Sequence, residues 1–218
     1  MAHRFLVIGL PRSGTTYLST LLNTHRDIVC GGELFNPFRV IAQGEGDDDF
    51  NNVLFRDCAP LQFMQSYFES TASEHPDVRA IGLKYMIGHN IRILRTLAQD
   101  PEMSLIRVWR ENKLAQVSSY VKAVRKQAWA QTAPNRHVAA KIDVGARQLA
   151  QHWHEYANFE FLFEQWFETL PNPRISIEYR DLFAPDFTAE ITDFLGVEDD
   201  PKMKSPLVTQ RPIGILDR

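Results

Sequence analysis

At 218 residues, with 44% hydrophobic and 23% charged content, the chain has the make-up of one globular domain spanning residues 1–218, and this composition excludes a disordered or fibrous protein. A formal charge of −3 gives no ground for non-specific nucleic-acid binding, and the basic residues are mostly arginine, which suits bidentate contact with phosphate or sulfate. There is no 18-residue apolar run, and the first strand begins too early for a secretory leader, so a cytoplasmic protein without a transmembrane segment is expected.

The first predicted strand is Arg4 to Ile8, a continuous apolar run ending at a glycine. Gly9 to Thr16, G-L-P-R-S-G-T-T, follows as a turn, and Tyr17, Leu18, Leu21 and Leu22 then fall on one face of a helix. A strand, a glycine turn and a helix start make an anion site, because the first helical N–H groups lack intrahelical partners and the macrodipole favours negative charge there. Ser13, Thr15 and Thr16 add hydroxyls, Gly14 allows close backbone approach, and Arg12 is the cation of the loop. Gly9, Gly14 and Thr16 fit the nucleotide P-loop spacing, but Thr15 stands where that motif has lysine. The loop is therefore expected to bind a phosphate-like group rather than a triphosphate.

Ile28 to Cys30 reads as a brief extended segment leading to Gly31, Gly32 and Glu33. Residues 43–52 are acidic and glycine-containing and read as a surface loop. Leu61, Met64, Tyr67 and Phe68 mark a helix, and Ala80 to Tyr85 a second core strand. Ile87, Ile91, Leu94 and Leu97 stripe the next helix. A third core strand, Ser104 to Trp109, ends at Arg110, and a helix starts near Glu111 or Asn112. Arg110 at the carboxyl end of a strand and Ser118 about two turns into that helix can face one anion above the sheet edge; Ser119 would point about 100° away. A magnesium-nucleotide enzyme would place an aspartate where this strand ends in Arg110. Residues 125–141 hold a basic run around Trp129, read as a solvated face with an acceptor-binding role as the other option. Leu149, Trp153, Tyr156, Phe163, Trp166, Phe167 and Leu170 mark a long amphipathic helix packed on the core. A strand with Ile175, Ile177 and Tyr179 follows, and then a helix stopped by Gly196. Cys30 and Cys58 lack metal-ligand spacing and read as reduced thiols, and no metal site is expected.

P-R-S-G-T-T-Y-L followed by L-L-N-T-H-R-D-I and G-G-E-L resembles the 5′-phosphosulfate loop of sulfotransferases that use 3′-phosphoadenosine-5′-phosphosulfate (PAPS). The resemblance is to the branch with arginine in the loop and a downstream glutamate base, which includes bacterial carbohydrate and protein-tyrosine sulfotransferases. W-R-E-N…V-S-S is similar to that family's 3′-phosphate motif, and I-E-Y-R-D-L with I-T-D-F-L-G-V to the strand and helix near the end of many members. The resemblance implies a three-layer α/β fold, doubly wound, with a parallel sheet between helices and a P-loop-like turn. It implies PAPS as co-substrate, bound by Arg12, Ser13, Gly14, Thr15, Thr16 and Tyr17 at its 5′ end. Arg110 and Ser118 would hold the 3′-phosphate, with Arg211 a candidate on a returning tail. Catalysis would fall to Glu33 as general base, with Arg12 stabilising charge, and the acceptor would be a hydroxyl of a carbohydrate or glycolipid. His25 and His89 are rival bases. A degenerate P-loop kinase or NTPase, and a non-catalytic nucleotide binder, stand as alternatives.

Overall fold

In the computed structural model, residues 2–42, 46–126, 129 and 144–207 are described. The five strands are β1 (His3–Gly9), β2 (Ile28–Gly31), β3 (Ala80–Met86), β4 (Ser104–Trp109) and β5 (Arg174–Glu178), all parallel, in the order β2-β3-β1-β4-β5. The helices are α1 (Thr15–Leu22), α2 (Phe50–Cys58), α3 (Pro60–Glu74), α4 (Ile91–Leu97), α5 (Lys113–Lys126), α6 (Ala146–Phe167) and α7 (Phe187–Leu195).

The alternation of β1 shows why a continuous apolar run is needed here. Phe5 and Val7 pack with α1 and α7 through Leu18, Leu22 and Ile191. Leu6 and Ile8 face the opposite way, into a core with Met64 and Phe68 of α3, Ile93 and Leu97 of α4 and Phe163 and Phe167 of α6. A strand buried on both faces has no polar side to offer, so helices cover the sheet on both sides. That is the α/β layering the residues and the resemblance implied.

The strand order places the site. The chain leaves β1 toward β2 on one side and leaves β4 toward β5 on the other, so the connections diverge at the carboxyl ends of β1 and β4. A crevice outside the strands forms at such a switch point. Arg107 within β4, 2% exposed, pairs with Glu160 at 2.8 Å and Glu164 at 3.0 Å, both on α6. Lys113 bridges Glu160 and the Arg110 carbonyl, tying the β4–α5 corner to the same helix.

Three sequence expectations are corrected. The acidic stretch 43–52 is not loop throughout: Asp49 caps α2 by accepting from the amides of Asn51 and Asn52, so the helix starts at Phe50, while residues 43–45 lie outside the described residues. In α4 the buried stripe is Ile93 and Leu97, with Ile91 58% exposed, because Asn90 rather than Ile87 starts the helix. Trp153 is 41% exposed, so the buried face of α6 is carried by Tyr156, Phe163 and Phe167. Most of the basic run 125–141 lies outside the described residues. Gly196 does end α7, at φ 67°.

Candidate active site

The loop between β1 and α1 is built from backbone that only certain residues allow. Gly14 caps α1 at φ 112°, and a Cβ there would stand 2.8 Å from Tyr179 Cδ2 and 2.9 Å from Leu182 Cδ1. Glycine is needed both for the dihedral and for the space. Arg12 is the non-glycine residue with positive φ, 66°, among the described residues. Strain of this kind is held only where the surroundings over-determine it, here in the loop itself.

Among the described residues, the amides of Gly14, Thr15, Thr16 and Tyr17 donate to no backbone carbonyl, and the first turn closes with Leu18 to Gly14 at 3.0 Å. Those amides are free for an anion. The hydroxyls divide differently from the sequence expectation. Thr15 is buried and its Oγ1 turns to Met86 Sδ at 3.5 Å, while Ser13 Oγ is buried under the loop with no partner among the described residues. Thr16 Oγ1 instead accepts a 2.8 Å hydrogen bond from Lys84 Nζ. Tyr17 packs its ring against Phe183 at 4.9 Å.

Lys84 is the residue sequence reasoning missed. It lies in the middle of β3, and its ammonium forms a 2.9 Å ion pair with Glu33 Oε1 as well as the bond to Thr16. A lysine thus reaches the loop from the neighbouring strand. A lysine inside A-I-G-L-K-Y-M was the available signal, since a charge in a buried strand demands a partner.

Glu33 follows β2, where Gly31 and Gly32 return the chain beside β3. Its Oε2 accepts from Asn36 Nδ2 at 2.8 Å. Burial pushes the Glu33 carboxyl up, but Lys84, Asn36 and, more weakly, His89 outweigh it and hold the group below the ordinary glutamate value. It is therefore a carboxylate at neutral pH. The rival bases stand otherwise. His25 has both ring nitrogens engaged, with the Glu198 carbonyl at 2.8 Å and the Asp27 amide at 3.0 Å. Burial, with help from Lys84 and Arg56 against the pull of Glu33, lowers the His89 pKa. His89 stands close enough to Glu33 to share its electrostatics, and its Nδ1 has no partner among the described residues.

At the other side of the loop, Arg12 Nε donates to Ser119 Oγ at 3.0 Å and its Nη1 to the Trp129 carbonyl. Gln116 Nε2 donates to the Pro11 carbonyl at 3.0 Å, so the face of α5 that meets the loop carries Gln116 and Ser119. Ser118 is half-buried and lies off that face. Arg110 stacks over Tyr179, 4.3 Å from the ring centroid. Burial lowers the pKa of both guanidiniums, and Arg110 adds to the lowering at Arg12. A cation penalised by burial gains from an anion brought beside it. Arg211 lies outside the described residues.

A cavity of about 530 Å³ lies beside Thr16, Glu33 and Lys84 and is lined further by Ser19, Thr20, Asn23 and His75. Among the described residues no group of three His, Cys, Asp or Glu side chains could hold a metal ion, and no helix is long and apolar enough to cross a membrane.

The parallel α/β sheet carries an anion loop after β1, with an arginine after β4 on one side of it and a carboxylate–ammonium pair from β2 and β3 on the other. The family model described as "Sulfotransferase family" matches residues 4–201, and the chain belongs to that family. It is a sulfotransferase. It is 24% identical over 197 residues to nodulation protein H of Rhizobium tropici, covering 88% of this chain and 75% of that protein. With nodulation protein H of Rhizobium meliloti (strain 1021) it shares 25% identity over 128 residues, 57% of this chain and 49% of the relative. Its fold is like that of a sulfotransferase from Alicyclobacillus acidocaldarius, at a TM-score of 0.55 and 18% identity over 97% of this chain and 87% of the other. It is also like the sulfotransferase domain from the curacin biosynthetic pathway, at a TM-score of 0.54 and 16% identity over 96% of this chain and 79% of that one.

Proposed function

We propose that the protein moves the sulfuryl group of PAPS to a hydroxyl of a carbohydrate or glycolipid acceptor, with Glu33 as general base. The observation that carries this is the continuous chain of contacts from Glu33 through Lys84 to Thr16, which puts a carboxylate within one ion pair of the anion loop. PAPS would supply the activated sulfuryl group. The residues fit a ligand with two separated anionic ends: the free amides of residues 14–17, Arg12 and Lys84 suit a phosphosulfate, and Arg110 a 3′-phosphate, for which Ser118 is the proposed hydroxyl partner.

In this reading the acceptor oxygen attacks sulfur in line and its proton passes to Glu33. Arg12, Lys84 and the loop amides meet the negative charge that develops on the departing phosphate. Lys84 also holds the Glu33 carboxylate in place, so one ammonium serves both partners. The cavity beside Glu33 gives an acceptor room next to the reacting groups.

Glu33→Gln keeps the shape and removes the basicity. With carbohydrate acceptors, kcat should fall by roughly 10²–10⁴, while the affinity for 3′-phosphoadenosine 5′-phosphate (PAP), measured by calorimetry, stays near wild type. A glutamine variant turning over within a few-fold of wild type would move the base to another residue, His89 first.

A further inference from the structure

The helix α2 is built the wrong way round for a helix that packs by its apolar face. Phe50 is 73% exposed, with Leu54 and Phe55 also exposed, and the buried residue of α2 is Arg56, at 1% exposure. Burying a guanidinium costs heavily unless its donors are satisfied. Its Nη1 donates to the carbonyls of Leu34 at 3.2 Å, Asn36 at 2.5 Å and Arg39 at 3.2 Å, and its Nε to Asp57 Oδ1 at 2.9 Å. Asp57 is half-exposed, so most of the solvation of this buried charge comes from carbonyl oxygens.

All three carbonyls belong to the segment directly after Glu33. That segment turns back on the glutamate: the Asn36 amide donates to the Glu33 carbonyl at 3.1 Å and the Ile41 amide to the same oxygen at 3.3 Å. The Asn36 side chain then donates to Glu33 Oε2 at 2.8 Å. Arg56 therefore grips the main chain of the residue whose side chain grips the carboxylate.

Resting on the reading of Glu33 as the base, we infer that Arg56 is a positioning residue of the reaction: by clasping the 34–39 turn it sets Asn36 and, through it, the orientation and proton affinity of Glu33. Nothing in the helix around it requires an arginine for packing. The groups that face the Glu33 carboxylate are Lys84 from β3, His89 from the turn after β3 and Asn36 from its own turn, with Arg56 behind that turn near His89. Of these, Asn36 is the one whose placement depends on Arg56 by direct contact.

The test is Arg56→Met, with two readouts that a purely structural role would not move together. The Glu33 carboxyl, followed by carbon NMR in the full-length protein, should titrate at higher pH than in wild type, because the hydrogen bond from Asn36 that favours the carboxylate is loosened. With the best acceptor from a panel of simple oligosaccharides, kcat should fall about tenfold or more, the scale for losing a residue that orients a reacting group, while KM and PAP affinity change by less than about threefold. Combined with Glu33→Gln, Arg56→Met should add little further loss, since both act through one carboxylate. If Arg56→Met does not fold, Arg56→Lys keeps the charge but not the fork, and should show the same upward titration. An unchanged Glu33 titration in the folded variant, or kcat losses that multiply in the double variant, would overturn the role. A Glu33→Gln enzyme of near wild-type rate would instead remove the base reading, and the NMR titration would still decide whether Arg56 governs Glu33.

Discussion

Lys84 has Glu33 at 2.9 Å and Thr16 at 2.8 Å, so its ammonium is shared between the carboxylate and the anion loop. Lys84→Met should therefore do two things at once. It removes a cation aimed at the reacting group, and kcat should drop by about 10²–10³, the scale for losing one preorganised charge-stabilising donor. It also leaves burial as the main influence on Glu33, so that the carboxyl rises instead of falling. In wild type the acidic limb of the kcat/KM profile should lie below the ordinary glutamate value of about 4.3, and in Lys84→Met above it. The stability sign follows the same shift. A carboxyl lowered in the folded state contributes stability above its unfolded value, and that contribution fades as pH falls through the lowered folded value. Thermal melts should thus lose stability on acidification across that window in wild type and lose less there in the variant. Arg110 is the complementary case. Its stacking on Tyr179 holds the guanidinium at the sheet edge, and Arg110→Ala should weaken PAP binding by roughly 1.5–3 kcal/mol. Binding of adenosine 5′-phosphate, which lacks the 3′-phosphate, should scarcely change; equal losses for the two ligands in calorimetry would contradict the assignment.

At the scale of elements, two glycines with positive φ separate function from fold. Gly196 ends α7 at φ 67° with open space around the missing Cβ, so alanine there should cost only the left-handed conformation, about 1–2 kcal/mol, with PAP affinity unchanged. Gly14→Ala meets Tyr179 and Leu182 as well as its dihedral, and should both lower the melting temperature and abolish measurable PAP binding. The elements also divide by how plainly their residues announced them. Strand β1 could be read because residues buried on both faces leave an unbroken apolar run, β3 and β4 because theirs are interrupted only by a lysine and an arginine, and the anion loop because its glycines, hydroxyls and Arg12 are contiguous. Helix α2 could not, since Phe50, Leu54 and Phe55 face outward and its buried residue is Arg56. The stripe of α4 slipped because Ile87 and Ile91 are apolar yet precede or leave the buried face that Ile93 and Leu97 occupy. On α5 the rotation between Ser118 and Ser119 was legible, but the face turned toward Arg12 depends on how Gln116 docks on Pro11, which no local spacing encodes.

At the scale of the molecule, the order β2-β3-β1-β4-β5 brings together residues from four places in the chain: Arg12 and Thr16 after β1, Glu33 after β2, Lys84 in β3 and Arg110 after β4. Glu33 and Arg110 could be nominated because each sits at a strand's carboxyl end beside a recognisable motif. The Lys84–Thr16 contact spans 68 residues and exists only because β3 lies directly beside β1, so it could not be read from spacing. This assembly gathers three cations around the anion loop and its neighbourhood, and on the proposed reading sulfuryl transfer from PAPS should need no divalent ion. The most direct test is transfer of labelled sulfate from PAPS to a carbohydrate panel by enzyme stripped with chelator, run beside the same enzyme with added magnesium and beside Glu33→Gln. Transfer should persist at an unchanged rate in the stripped enzyme and collapse in Glu33→Gln. A stripped enzyme that is inactive until magnesium is restored, or a Glu33→Gln enzyme as fast as wild type, would contradict it.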